Sequence, residues 1–321
     1  MASGTSDAED FKESVQAAHG EITGTIGSGA LTVYVVRTEK GKLEETEKKL
    51  NKDEHVAVVQ RNYMVQMQQS ASGANDPYFP SQWHLSGVSA VGAWPTSTGQ
   101  GTTVAIIDSG TPVTGTDING KVLLNGKAVK GYDAVRRVAD QSPTGDHGAM
   151  TATTAAAVTN NRTNTAGVAP SAAIYPIKVS DSAGRISESS ILEAISHAGA
   201  KGIKIINMSL NASPPYSLSN RAAHPIFHTY ADWYHNKVGG MFFMAAGNDG
   251  MQDSSPISAN LIVVSAITPS YRMANFSTYG NNLWFTAPGQ SIFCSDAKGR
   301  VVSTAGTSFS APCAAAVAAL V

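Results

Sequence analysis

Cysteine is scarce in this chain: two residues, Cys294 and Cys313, in a length of 321. That count excludes the disulfide-dense scaffold by which small secreted domains replace a hydrophobic core. A single bridge and a pair of buried free thiols are both compatible with it. Long hydrophobic runs are absent as well. No stretch of about eighteen apolar residues occurs, so no membrane-spanning helix is expected. An excess of either charge is also missing, with 23 Lys and Arg against 24 Asp and Glu. A net charge of −1 provides no electrostatic footprint for nucleic acid or for an anionic membrane surface, and neither is expected as a partner. Finally, residues 1–20 are polar, carry Asp7, Glu9, Asp10 and Glu13, and lack the apolar centre of a secretory signal. The compartment stays open.

With 42% hydrophobic and 15% charged residues, the chain has enough apolar material for a large core and a second, smaller domain. Residues 1–26 read as a loose polar leader. Residues 24–30, GTIGSGA, have the glycine spacing of a dinucleotide-binding turn, but no strand precedes and no helix follows, so they read as a flexible lead-in. A strand over 31–36, a charged amphipathic helix over 44–50 and a strand or strand pair over 56–67 make residues 27–70 a small α+β domain. The polar stretch 66–74 is the natural boundary. From residue 71 apolar strands alternate with helical patterns. Strands are predicted over 103–107, 173–179, 203–209, 241–246, 261–266 and 283–287, and helices over 147–158, 188–200, 221–237 and from 308 onward. Such alternation implies an α/β fold, a mostly parallel, doubly wound sheet covered on both faces.

Four junctions in that pattern carry reactive side chains. The apolar run Val104-Ala105-Ile106-Ile107 ends in Asp108-Ser109-Gly110, which puts a carboxylate at the end of a buried strand. Gly145-Asp146-His147-Gly148 opens a small-residue helix, and the strand 241–246 delivers Asn248 into the glycine-rich turn Gly247-Asn248-Asp249-Gly250. Gly306-Thr307-Ser308-Phe309-Ser310-Ala311-Pro312 sets Ser308 at the mouth of an alanine-rich helix. Helix N-termini supply unpaired N–H groups and partial positive charge, which suits an oxygen that becomes negative in a reaction. Each junction alone is also what an Asx-turn, a helix start or an N-cap would look like. In the order Asp, His, Asn, Ser they specify one chemistry.

At these residues, and from about Asn75 to the last residue, the chain resembles the subtilisin-like serine proteases of the peptidase S8 family. Asn75-Asp76-Pro77-Tyr78-Phe79 with Gln82-Trp83-His84-Leu85 is similar to the mature amino terminus of several members. Gly167-Val168-Ala169-Pro170, Ile206-Asn207-Met208-Ser209-Leu210, Phe276-Ser277 and Ala287-Pro288-Gly289 match in order and approximate spacing. The resemblance implies a serine endopeptidase acting on polypeptides, with Ser308 as nucleophile, His147 as general base and Asp108 orienting the imidazole. It further implies that Asn248 stabilises the oxyanion, that Ser209 and Leu210 pair with the extended substrate backbone, and that Ala245, Ala246 and Gly247 line the primary specificity pocket. Domain 27–70 resembles the family's prodomain, an intramolecular inhibitor and folding aid, which implies synthesis as a zymogen and cleavage between 66 and 74. The catalytic domain would then be 71–321.

Matching positions in the family hold a structural calcium ion, which implies Ca²⁺ ligation by Asp76, Asp117, the Val158 carbonyl and Asn160. The family usually reads Gly-Thr-His-Val-Ala-Gly after the first histidine, whereas here the run is Gly148-Ala149-Met150-Thr151-Ala152-Thr153. Phe309 stands where methionine is usual, and Asn211 where glycine often follows Ser-Leu, narrowing the cleft. The alanine-rich helix meets the end of the chain at Val321 with nothing after it to cover it, so the sequence is expected to be a fragment. Two other readings accompany the protease. One is a catalytically impaired relative that only binds peptides. The other is a metal-dependent hydrolase built on Asp108, His147, Asp133, Asp140 and Asp146, which leaves Ser308 and Asn248 without a role. His224, His228 and His235 are spaced for a zinc site but lack an accompanying Glu, and read as ordinary helix residues.

Overall fold

The computed structural model of the chain describes residues 5–26, 32–61, 73–112 and 117–321. It divides into two compact units, Met1–Met67 and Gln68–Val321. In the first, helix α1 (Thr5–Ala17) precedes strand β1 (Gly20–Ile26), strand β2 (Val33–Thr38) and helix α2 (Leu43–Leu50). β1 and β2 pair antiparallel, Ile22 opposite Val36. The loose leader expected over 1–26 is thus corrected: its described part is a helix and a strand. Phe11 and Val15 recur at a one-turn spacing and are buried with Ala18 and Leu50, against Ile22, Tyr34 and Val36. Sparse apolar residues in a polar segment hid this face. The strand expected over 56–67 is corrected too, because residues 56–61 form none, and 62–67 lie outside the described residues, as does most of the 66–74 boundary.

In the second unit seven strands form one sheet: β3 (Thr103–Asp108), β4 (Tyr132–Asp133), β5 (Ala173–Lys178), β6 (Ile205–Met208), β7 (Met241–Ala245), β8 (Ile262–Ile267) and β9 (Leu283–Pro288). Their order is β9-β8-β7-β6-β3-β5-β4, and every neighbouring pair is parallel. β3 lies between β5 and β6, so the winding reverses at its carboxyl end, where doubly wound sheets open a crevice.

Strand alternation assigns the core to two faces. Val104 and Ile106 face α3 (His147–Ala156) and α6 (Thr307–Leu320), with Ala152, Ala155, Ala311, Ala315 and Ala319 in the same cluster. Ala105 and Ile107 join the opposite cluster with Ile191, Ala194 and Ile195 of α4 (Glu188–Ala200) and Phe227 and Ala231 of α5 (Pro225–Trp233). α5 starts at Pro225 rather than 221, since proline lacks the N–H that a first helical residue does not need. Its continuation over Tyr234–Val238 is a π-turn. The expectation that α6 would lie uncovered is corrected for its inner face, while Ala314, Val317 and Ala318 are half-buried. Ala311, Cys313, Ala315 and Ala316 are fully buried, because alanine side chains let the helix lie close to both the sheet and α3. A further antiparallel pair, β10 (Ile292–Ser295) with β11 (Val301–Thr304), leads into α6.

Candidate active site

Asp108 ends β3 with its side chain fully buried, and His147 is the first residue of α3. His147 Nδ1 lies 2.8 and 2.9 Å from the two Asp108 carboxylate oxygens. The Ser109 N–H donates to Asp108 Oδ1 at 2.6 Å, and the Thr151 hydroxyl, one helical turn beyond His147, donates to Oδ2 at 3.3 Å. An acceptor surrounded in this way requires the imidazole proton on Nδ1 and leaves Nε2 as the basic nitrogen. Burial opposes charge on His147, but the charge and hydrogen bond of Asp108 outweigh it and hold the imidazole pKa above the ordinary value. α3 can come this close only because Gly148 has no side chain: a Cβ there would sit 2.2 Å from the Gly110 carbonyl.

Ser308 is the second residue of α6, in the first turn, where the helix itself offers no partner for backbone N–H groups. Gly306 precedes that turn at φ +152°, a conformation that side chains other than glycine's rarely adopt. Ser308 and Ser209, just past β6, exchange hydrogen bonds: Ser209 Oγ donates to the Ser308 carbonyl at 2.7 Å, and Ser308 Oγ to the Ser209 carbonyl at 3.1 Å. No hydrogen bond joins Ser308 Oγ to His147 Nε2 among the described residues. The Phe309 ring instead flanks the imidazole, with centroids 6.0 Å apart.

Asn248, in the turn after β7, is oriented by a residue whose role sequence reasoning missed. Thr307 donates to Asn248 Oδ1 through both its N–H, at 2.8 Å, and its hydroxyl, at 3.0 Å. The same hydroxyl accepts the Gly247 N–H at 3.1 Å. Two donors on Oδ1 settle which end of the carboxamide is which and leave the Nδ2 donor for the cleft. The signal was in view, since Thr307 sits inside the Gly-Thr-Ser motif.

A cleft of about 520 Å³ is lined by Asp108, His147, Ser209, Leu210, Asn248 and Ser308, and also by Ala245 and Gly247. Ala246 does not line it: its side chain points into the core cluster of α4 and α5. Strand alternation explains this correction, because Ala245 and Ala246 point to opposite faces.

The residues expected to hold calcium do come together, with one change. Asp76 accepts the N–H groups of Asn160 and Asn161 at 2.8 and 3.1 Å, and Asp117 accepts the Thr165 N–H and hydroxyl, both at 2.8 Å. Val158 N–H donates to the Asp117 carbonyl at 2.7 Å. Asn160 turns its amide oxygen to the Asn75 N–H at 3.1 Å, and it is Asn161 whose amide reaches Asp117, at 3.3 Å. Both carboxylates are almost wholly buried, and neither has a basic partner among the described residues. Burial pushes the Asp117 carboxyl above its usual range against its Thr165 and Asn161 donors, and the Asp76 charge adds to the rise. Among the described residues no group of three or more His, Cys, Asp or Glu side chains converges in a metal-binding arrangement.

The other candidates separate in space. Asp133 pairs with Lys178 and Arg136, both at 2.7 Å, and Arg136 also holds Asp140, so these carboxylates are not available beside His147. His224 contacts Glu188 at 3.0 Å, His235 contacts the Gly240 carbonyl at 3.2 Å, and His228 is buried. Cys294 and Cys313 are free and buried; burial pushes the Cys294 thiol up to about 12 and Cys313 higher still, which disfavours the thiolate form of both.

The subtilase family profile matches residues 99–321. Thermitase of Thermoactinomyces vulgaris is 34% identical over 251 residues, covering 77% of this chain and 84% of that protein. A thermophilic serine proteinase of Bacillus sp. (strain AK1) is 34% identical over 284 residues, 87% of this chain and 66% of its own length. Among solved structures, a protease from Pseudoalteromonas arctica PAMC 21717 aligns with a TM-score of 0.63 at 27% identity, covering 78% of this chain and 86% of the other. A cold-adapted subtilisin-like serine proteinase aligns with a TM-score of 0.57 at 25% identity, covering 70% and 76%.

Proposed function

The chain belongs to the subtilase family of serine-type endopeptidases, and on that premise we propose that it hydrolyses peptide bonds by way of Ser308, His147 and Asp108. The carrying observation is the His147 imidazole held by both Asp108 oxygens beside a serine in the first turn of a helix. A substrate laid along Ser209 and Leu210 competes for the Ser209 carbonyl and releases the Ser308 hydroxyl toward His147 Nε2. Nε2 takes the proton as Oγ attacks the scissile carbonyl. The developing oxyanion meets the Nδ2 donor of Asn248 and the Ser308 N–H, and loss of one such donor typically costs about 100- to 1000-fold in rate. The imidazolium returns its proton to the leaving amine, and water repeats the sequence on the acyl-enzyme.

The first compact unit serves in this reading as an inhibitory prodomain that is cleaved within 66–74, and the protein is made as a zymogen. Asp76 and Asp117, with the Val158 carbonyl and the Asn160–Asn161 loop, would hold Ca²⁺. Two buried carboxylates with no basic partner among the described residues supply hard oxygen donors that suit this ion. Calcium there would neutralise the pair and tie Asp76 to the 158–165 loop.

A fluorophosphonate probe tests the nucleophile. Covalent label should map to Ser308, the Ser308→Ala protein should take none, and only the unsubstituted protein should acquire a new amino terminus within 66–74. A natively folded chain that resists the probe would instead support the impaired, peptide-binding reading.

A further inference from the structure

Asn211 stands just past Ser209 and Leu210, where related proteases often have glycine, and its carboxamide is used at both ends. Nδ2 donates to the Ala246 carbonyl at 2.9 Å and to Ser217 Oγ at 3.1 Å. Oδ1 accepts the N–H groups of Ala212 at 2.8 Å and Leu218 at 2.9 Å. Behind it runs a buried polar chain. The hydroxyls of Ser217 and Ser219 lie 2.5 Å apart, Ser219 donates to Asp253 at 2.6 Å, and Asn282 donates to the same Asp253 oxygen at 2.9 Å. Ser217, Ser219, Asp253 and Asn282 are each at most 2% exposed.

The two segments joined in this way follow neighbouring strands and both border the cleft. Asn211 follows β6 on the wall of Ser209 and Leu210, and Ala246 follows β7 on the wall of Ala245, Gly247 and Asn248. An asparagine at the edge of a cleft would ordinarily swing aside for a bulky ligand. Here rotation would leave the Leu218 N–H and the Ala246 carbonyl without these partners, which holds the side chain in place. The Asn211 side chain also lines the cleft, in space that glycine would leave open. We propose that Asn211 is a specificity-determining residue: it braces the two walls and keeps the recess for the side chain preceding the scissile bond narrow, so small side chains are selected there over aromatic ones. This rests on the protease reading above.

The test uses the full chain and its Asn211→Gly and Asn211→Asp variants, each normalised to the fraction of Ser308 titrated by a fluorophosphonate. Peptides differing only in Ala, Leu or Phe before the scissile bond are compared by kcat/KM. The unsubstituted protein should favour Ala over Phe. Asn211→Gly should raise the Phe-to-Ala ratio by about tenfold or more, the scale on which pocket shape discriminates apolar groups. Asn211→Asp keeps the acceptor for the Leu218 N–H but turns a carboxylate oxygen toward the Ala246 carbonyl, and should shift the ratio the same way by less. A preference for Phe in the unsubstituted protein overturns the proposal without any variant. So does a ratio that moves by less than about twofold in a titratable variant. If Asn211→Gly fails to fold, the unsubstituted ratio and the Asp variant decide. An unlabelled, inactive parent protein would remove the protease reading itself, an outcome identified by the missing label.

Discussion

Single residues in this site act by fixing each other's protonation and orientation. Asp108 can polarise His147 because Ser109, Thr151 and the imidazole itself occupy its oxygens. A general base works only when neutral, so activity should climb with pH through the His147 pKa. That pKa is raised, and kcat/KM should therefore fall off in acid with a midpoint above the ordinary histidine value of 6.5. For stability the sign is opposite: a raised histidine stabilises the fold in acid, and that contribution is lost as pH rises through the folded-state pKa. In Asp108→Asn the burial effect stands without the opposing charge, so an NMR titration of His147 should give a midpoint lower than in the unsubstituted protein. An acid limb below 6.5, or an Asn variant whose imidazole titrates unchanged, would contradict this assignment of the base.

At the scale of elements, departures from the family pattern turn out to be hydrogen-bonded replacements. Thr153 stands where glycine is usual in the histidine helix. Its hydroxyl accepts the Ser295 N–H at 3.0 Å and lies 3.2 Å from the Ser295 carbonyl, which clips α3 to the end of β10. Thr153→Gly removes that clip from a fully buried position, strands the Ser295 N–H and puts glycine inside a helix. The combined cost is about 2–4 kcal/mol from an unpaired buried donor and the poorer helix former. Thr153→Ser, which retains the hydroxyl, should lose less than half as much in urea unfolding. Equal losses for the two variants would mean that packing of the Thr153 methyl, rather than the clip, holds α3 in place.

At the scale of the whole molecule, the calcium proposal links the segment before the sheet to the fold that carries the site. Asp76, Asp117 and the 158–165 loop are far apart in the chain, and an ion bound only by the native state would stabilise them together by about 2.7 kcal/mol at a hundredfold excess over Kd. Melting temperature should fall on chelation and recover with Ca²⁺. Asp117→Ala should blunt the response, since it removes one carboxylate and relieves the repulsion that raises the other's need for a cation. A melting curve indifferent to chelator and calcium would eliminate the site.

Sequence alone determined six of the seven strands of the parallel sheet and placed their carboxyl ends to within one residue, but it missed the edge strand β4. A continuous run such as Val104–Ile107 is compatible only with burial on both faces, and helix starts are marked by His147 and the Gly-Thr-Ser turn. The same local signals made Asp108, His147, Asn248 and Ser308 legible, because each sits at a strand end or helix start. The helix within 1–26 was not legible, since Phe11 and Val15 find their partners in Tyr34, Val36 and Leu50, later in the chain. Two apolar residues one turn apart are too sparse a local pattern to reveal contacts of that kind. The bracing of Asn248 by Thr307 and the tie from Asn211 to the Ala246 carbonyl were likewise settled only in three dimensions. Each depends on which atoms two separate strand ends bring within about 3 Å, the range of a hydrogen bond. A residue's type announces that it can donate or accept, and only the packed sheet decides what it meets.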